Sequence, residues 1–227
     1  MTPSRALLTR VAALGLACLG GCAGTPPPDW QMNAQASMQR AMDAQLSGND
    51  RVAGAEFERA TAEIARTGRP ELMARAELMR CAARIAALQF GPCDGFERLR
   101  VDAAAAERAY ADYLAGRLDP AARALLPPAQ QPLAAADGTS AGDAVMLQGV
   151  ADPLSRLVGA ALWLQAGRAS PAVLQVAADT ASAQGWRRPL LAWLQLLQRR
   201  ASDAGDAPEA ARLARRIELV LRGPATP

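Results

Sequence analysis

The apolar residues of this chain recur with the period of about 3.6 that marks one face of an α-helix. Ala34, Met38, Ala41 and Met42 fall at i, i+4, i+7 and i+8, which predicts a helix over 30–47. No stretch alternates apolar and polar residues with period two, so no strand is expected. Alanine is abundant and β-branched residues are sparse, which also favours helix. The predicted fold class is therefore all-α.

Turn and cap residues divide this pattern into separate helices. The third of them places Leu72, Ala76, Met79 and Ala83 in helical register. Later helices open with a capping residue followed by proline, a pairing that satisfies a free amide and presets the first turn. These openings are Asp119-Pro120, Asp152-Pro153 and Ser170-Pro171. Besides the helix that Asp119-Pro120 opens, the predicted helices cover 30–47, 51–67, 70–88, 102–115, 152–166, 170–184, 189–203 and 207–222.

Between these helices, residues 127–151 carry poor helix signals and many turn residues, including Pro127-Pro128, Pro132 and Asp137-Gly138. A loop of this length is unusual inside a compact domain. The sequence therefore predicts an N-terminal helical half over 29–126, a flexible joint over 127–151 and a C-terminal helical half over 152–223.

One pattern returns between helices: a glycine followed by an alanine five residues later. It occurs at Gly48/Ala53, Gly116/Ala121, Gly167/Ala172 and Gly205/Ala210. The glycine supplies a left-handed turn and the small alanine permits close helix approach. Around Gly48, with Phe57 and Ala60 at the next positions, the pattern resembles the turn and second helix of a tetratricopeptide repeat. The resemblance implies stacked antiparallel helical hairpins, and an irregular helical bundle is the alternative.

The N-terminus has the layout of a secretion signal. Arg5 and Arg10 precede an apolar run over 11–19, which is shorter than the about 20 residues of a membrane span. The tetrad Leu19-Gly20-Gly21-Cys22 resembles the lipobox of bacterial lipoproteins. The resemblance implies cleavage of residues 1–21 and lipidation of Cys22. In that family an aspartate after the cysteine often retains the protein in the inner membrane, and Ala23 here favours the periplasmic face of the outer membrane.

The lipid on Cys22 is thus the expected contact with the membrane. A proline-rich tether over 22–28 connects this lipid to the folded part of the protein. Polyproline geometry extends about 3.1 Å per residue, so the tether holds the folded part within roughly 20 Å of the membrane surface.

Composition excludes several classes of function. The 25 basic residues are all arginine. Cleavage of the signal removes Arg5 and Arg10, so the mature chain has 23 arginines and 22 acidic residues. This near-neutrality argues against a nucleic-acid partner, which favours a basic surface. The chain has no histidine and no lysine, so it lacks the base of Ser-His-Asp and Cys-His triads and the Schiff-base amine. We expect no catalytic residues, no metal site and no small-molecule cofactor.

The cysteines that remain are Cys81 and Cys93. An even pair in an oxidising compartment indicates a disulfide. Two thiols without histidine are too few ligands for a zinc site, and the spacing is not C-x-x-C. Residues 137–143 lack the oxygen spacing of an EF-hand calcium loop.

Single carboxylates alternate with arginines along the helices, as in Glu77 with Arg80 and Arg84. Such spacing is typical of solvated i, i+3 and i, i+4 ion pairs, although two carboxylates that converge would permit glycan hydrolysis. The most distinctive aromatic and basic cluster is Trp186, Arg187, Arg188 and Trp193. Trp and Arg dominate protein–protein hot spots, so these four are candidate partner contacts; packing between helices is the alternative.

Two functions follow from the sequence. The first is a non-catalytic helical scaffold that binds protein partners in the periplasm during envelope, pilus or secretion assembly. The alternative is a peptidoglycan-active enzyme, or a regulator of one, that uses carboxylate residues.

Overall fold

The computed structural model describes residues 26–223. Within that range the chain forms eleven α-helices and one 3₁₀ helix (Pro120–Leu125). The α-helices are α1 (Asp29–Ser47), α2 (Asp50–Ala65), α3 (Pro70–Ala86), α4 (Asp94–Glu97), α5 (Ala105–Leu114), α6 (Gln131–Ala135), α7 (Ala141–Gly149), α8 (Pro153–Gln165), α9 (Pro171–Ala183), α10 (Arg187–Asp203) and α11 (Ala207–Arg222). No strand occurs in the described range, and the prediction of an all-α fold is confirmed.

The N-terminal signal lies outside this range. Cys22, the signal peptide 1–21 and the first part of the tether are not among the described residues. The tether's last residues, 26–28, are exposed, and Pro28 has φ −58° and ψ 149°, a polyproline II geometry. Between residues 26 and 223, no helix combines the length and apolar character needed to cross a membrane.

The predicted caps place most helix starts correctly. Asp119, Asp152 and Ser170 each accept a hydrogen bond from an amide of the first turn that follows. Asp206 does the same at α11, where it accepts from the Glu209 amide at 3.1 Å. The Glu209 carboxylate accepts hydrogen bonds from Arg212, and the Asp206 amide donates to the Ala201 carbonyl, so these two residues do not form a reciprocal capping box. These bonds fix where the helices begin because each one satisfies an otherwise free donor.

The recurring glycines adopt the predicted turn, but the alanines do not follow the pattern. Gly48, Gly116, Gly167 and Gly205 have φ between 70° and 90°, the left-handed region that favours glycine. Of the paired alanines, only Ala53 is buried; Ala121 and Ala172 are exposed and Ala210 is half-buried. The recurrence therefore marks helix ends and not a repeated helix contact.

Helices that are distant in the sequence contact one another in the core. Hairpins form from α1 with α2 and from α10 with α11, but α3 packs on α8, and α10 packs on α1. Stacked repeats contact only their neighbours. The observed contacts are instead those of an irregular helical bundle, the second arrangement that the sequence allowed.

The structure differs from the expected flexible joint over 127–151. This segment contains α6 and α7, and it contributes Leu133 and Leu147 to the main hydrophobic core. That core also includes residues of α3 and of α8 to α11, so the two predicted halves share it. The buried Gln130 side chain accepts a hydrogen bond from the Tyr113 hydroxyl at 2.8 Å and donates to the Ser155 carbonyl at 3.3 Å. The segment is therefore integrated into the fold.

Cys81 and Cys93 lie at disulfide distance. Cys81 is buried on α3, Cys93 directly precedes α4, and their Cα atoms are 5.9 Å apart. This separation is within the range that native disulfides show.

We expect Cys93→Ser to lower the free energy of unfolding by about 3 kcal/mol, because a bond that closes a short loop restricts the unfolded chain. Urea unfolding of the periplasmically expressed protein, with and without reductant, measures this loss. Reductant should destabilise the wild type and leave Cys93→Ser unchanged. Two titratable thiols in the unreduced wild type would contradict the pairing.

Candidate partner-binding surface

The four residues of the aromatic and basic cluster occupy different environments. Trp193 is fully buried, at 0% exposure, and its indole Nε1 donates to the Ala86 carbonyl at 3.1 Å. It ties α10 to the end of α3 inside the core. Trp193 therefore cannot contact a partner while the fold is intact, and the expectation that it does is corrected.

The other three residues hold helices together. Trp186 is half-buried and packs against both hydrophobic clusters of the protein. Arg187 donates to the Leu221 carbonyl of α11 at 3.1 Å, and Arg188 pairs with Asp50 of α2 at 2.5 Å. Because these groups already have intramolecular roles, the packing interpretation fits Trp186, Arg187 and Arg188 better than a free contact surface.

An apolar groove instead lies between α1 and α3. It has a volume of about 520 Å³. Its apolar lining comes from α1, from the end of α2 and from one side of α3: Trp30, Ala34, Met38, Ile64, Leu72, Ala76 and Met79. Polar residues at its margin are glutamines of α1 together with Arg69 and Arg75. The predicted apolar stripe of α3 thus partly lines a groove.

A second groove, of about 420 Å³, lies on the other side of α3. It is enclosed by α3, α5 and the end of the 3₁₀ helix, with an apolar lining of Leu78, Met79, Ala106, Tyr110, Leu125, Leu126 and Pro127. Arg75 and Met79 line both grooves, so the two are adjacent along α3. We call the two together the α3 groove. Met79 is 41% exposed and Leu125 is 45% exposed, which places large apolar side chains at its surface.

One carboxylate lines the α3 groove. Glu107, on the first turn of α5, is only 7% exposed, and its Oε1 accepts from the Arg75 Nε at 2.5 Å. Its Oε2 is buried and has no hydrogen-bond partner among residues 26–223. Burial also raises the pKa of the neighbouring Tyr110 hydroxyl well above its ordinary value. The second groove is therefore an apolar site with one unsatisfied acceptor in its wall.

A smaller cavity of about 180 Å³ lies beneath the 3₁₀ helix and α6, against the ring of Trp163. Arg123 and Arg168 line it together with apolar residues, and Arg168 pairs with Asp137 at 2.9 Å. The Trp163 Nε1 donates to the Leu133 carbonyl at 3.1 Å, so this polar atom in the cavity wall is already satisfied within the protein.

The buried carboxylates between residues 26 and 223 are paired with arginines. Buried Glu56, Glu77 and Glu107 each accept hydrogen bonds from arginine. The Arg40 hydrogen bond is the main cause that lowers the pKa of Glu56. Among residues 26–223, every carboxyl group with a shifted pKa is shifted downward: Glu56, Glu71, Glu97, Asp143 and Glu209. A glycosidase general acid requires the opposite shift.

The same described range contains no cluster of three or more Cys, Asp or Glu side chains that could hold a metal ion.

Two features of the α3 groove were missed by sequence reasoning. Met79 was placed on an apolar stripe, and periodicity alone does not show which part of a stripe remains uncovered. Glu107 was one acidic residue among many, and its arginine lies 32 positions away. Comparison with known proteins adds no assignment, because no family model, no curated protein and no solved structure matches this chain.

Proposed function

We propose that this protein is a non-catalytic helical scaffold that binds protein partners at the periplasmic face of the outer membrane. The observation that carries the proposal is the α3 groove. Monomeric proteins rarely expose large contiguous apolar surfaces, and those that do commonly use them for binding. Methionine at such a surface adapts its shape to different partners. Met79 lies where the two grooves meet.

The location rests on the N-terminal sequence. Leu19-Gly20-Gly21-Cys22 resembles a lipobox, which implies a lipid on Cys22. The next residue is Ala23 and not the aspartate that often retains lipoproteins in the inner membrane, which favours the outer membrane. The extended backbone at Pro28 agrees with a short tether that leads into α1. A scaffold so placed meets partners of envelope, pilus or secretion assembly close to the membrane.

The absence of histidine and lysine supports a binding role over an enzymatic one. The lowered pKa of carboxyl groups such as Glu56 supports it further, because these groups remain ionised and are poor proton donors.

Photo-crosslinking in intact cells tests the proposal. The full-length chain carries a photoreactive phenylalanine analogue in place of Met79, or in place of Val101 as an exposed control outside the groove. We expect protein adducts from position 79, several-fold above those from position 101, and recovered with the outer membrane. Cys22→Ala should release the protein from that fraction.

Two results would count against this function. Equal adduct yields from positions 79 and 101 would exclude the α3 groove as the contact surface. Peptidoglycan cleavage by the purified protein, abolished by one Glu or Asp substitution, would favour the enzymatic alternative.

A further inference from the structure

The unsatisfied oxygen of Glu107 indicates what kind of partner the α3 groove accepts. A carboxylate that is buried with an unused acceptor is costly, because the oxygen has lost water without gaining a donor. Native proteins leave few such groups, and each one calls for an explanation. The Oε2 belongs to Glu107, which lines the groove of about 420 Å³, and most of the other lining residues are apolar. A ligand that brings a donor into this groove would satisfy it.

The side chains around Glu107 can adjust to let a donor reach the Oε2. Arg75, which binds the other oxygen, is 60% exposed, and Met79 is 41% exposed at the groove's surface. Both are long, unbranched side chains on one face of α3. A small rotation of Glu107 toward the groove therefore needs no movement of the helices.

Charge restricts the donor to a neutral group. The guanidinium of Arg75 already balances the Glu107 carboxylate at 2.5 Å. Arg69 and Arg75 line the groove on the α1 side, and within the part of the chain that the structure describes no acidic residue other than Glu107 lines either part. Arg69 is itself paired with Glu71 at 2.6 Å, so both arginines of the lining are balanced by a carboxylate. A lysine or arginine of a partner would therefore enter a mostly apolar groove with no unpaired carboxylate to balance its charge, which opposes its binding. Amide N–H and hydroxyl groups donate without bringing a charge.

We propose that the α3 groove binds an apolar segment of a partner polypeptide that donates a neutral N–H or O–H to the Glu107 Oε2. The inference rests on the proposed function and specifies the chemistry of its partner. Apolar side chains of the segment fill the space between Met79, Tyr110 and Leu125, and Glu107 fixes the register of the segment in the groove. A basic segment is disfavoured because Glu107 is already paired with Arg75 and leaves the charge of the segment unbalanced in the groove.

The substitution Glu107→Gln, made in the chain that carries the photoreactive analogue at position 79, tests whether the Glu107 Oε2 accepts a hydrogen bond from the partner. An amide of the same shape offers only one acceptor oxygen, which Arg75 engages, and turns a donor toward the incoming group. We expect adducts from position 79 to fall about tenfold at low expression, the loss typical of a hydrogen bond to a charged group. Glu56→Gln is the matched control, since Glu56 is equally buried, has both oxygens paired with arginine and lies outside the groove.

A second pair of variants covers the case in which Glu107→Gln fails to fold. Leu125→Asp places a charge on an exposed groove residue and should reduce the adducts similarly. Leu219→Asp, at a 73% exposed position outside the groove, should not. Mass spectrometry of the crosslinked partner peptide should show an apolar segment without Lys or Arg.

The outcomes separate the two proposals. Protein adducts that persist in Glu107→Gln and Leu125→Asp, or a contact peptide rich in Lys or Arg, overturn the inference and leave the scaffold function standing. Adducts to lipid alone, or none above the control position, overturn both.

Discussion

Replacing Trp193 with alanine should lower the free energy of unfolding by roughly 3–5 kcal/mol, the range for truncating a large aromatic in a core. The side chain is fully buried among residues of α3 and α8 to α11, and its indole donates to the Ala86 carbonyl at 3.1 Å. Truncation removes the packing and leaves that carbonyl without its donor. For a domain of this size the melting temperature should fall by roughly 6–20 °C.

Thermal and urea unfolding followed by circular dichroism measure this effect. Trp30→Ala is the control, because Trp30 lies half-buried in the first turn of α1 and lines the groove without belonging to either buried core. Trp30→Ala should lower the free energy of unfolding much less than Trp193→Ala. If Trp193→Ala retained wild-type stability and lost only partner capture, Trp193 would be a contact residue as the sequence first indicated.

The sequence contained a signal for the buried position of Trp193. Leu190, Trp193, Leu194 and Leu197 fall at i, i+3, i+4 and i+7, the stripe of a core-facing helix. The prediction of a partner-binding cluster rested on the tryptophans and arginines and did not take account of the neighbouring leucines, which indicate a buried helix face. Composition alone cannot separate the two cases, because tryptophan is common both in cores and at interfaces.

Helix positions could be predicted well because their determinants are local. Caps such as Asp152 and Ser170 act on amides within three residues. That Cys81 and Cys93 lie at disulfide distance was also predictable, since they are the only thiols outside the signal and the lipobox. Helix order in space is not local: nothing in α3 or α8 alone specifies that they pack together.

The α3 groove could not be predicted for the same reason. Its walls come from α1, the end of α2, α3, α5 and the 3₁₀ helix, and their arrangement depends on the packing of all of these helices. The pairing of Glu107 with Arg75 joins α5 to α3 and follows from that arrangement. Sequence periodicity gives one face of each helix, whereas a groove is the part of several faces that remains uncovered.

Residues 127–151 show how turn composition can conceal ordered structure. Proline and glycine there predicted a joint, yet Ser140 and Asp143 form a reciprocal capping box that starts α7. The Ser-x-x-acidic spacing was visible in the sequence. The buried Leu133 and Leu147 are too far apart in the sequence to form one helical stripe, so hydrophobic periodicity does not indicate that this segment contributes to the core.

Replacing Gly138 with alanine should therefore destabilise the whole protein and not merely a loop. Gly138 has φ +79°, and an added Cβ would lie 2.6 Å from Cγ of Trp163. That ring is 3% exposed and held by its hydrogen bond to the Leu133 carbonyl, so it has little freedom to move. The left-handed backbone costs roughly 1–2 kcal/mol and overpacking roughly 1–3 kcal/mol. Unfolding free energy should fall by roughly 2–5 kcal/mol in a urea titration.

Gly142→Ala is the matched control in the same segment. Gly142 lies within α7, where the nearest atom to an added Cβ is the Ser140 Oγ at 3.6 Å, an ordinary contact distance. Alanine there should be neutral or stabilising by up to about 1 kcal/mol, because it restricts the unfolded chain and favours helix. A flexible joint would tolerate both substitutions equally, since a mobile loop can relieve the contact with Trp163. Opposite effects at positions four residues apart require that the backbone of 127–151 is fixed against α8.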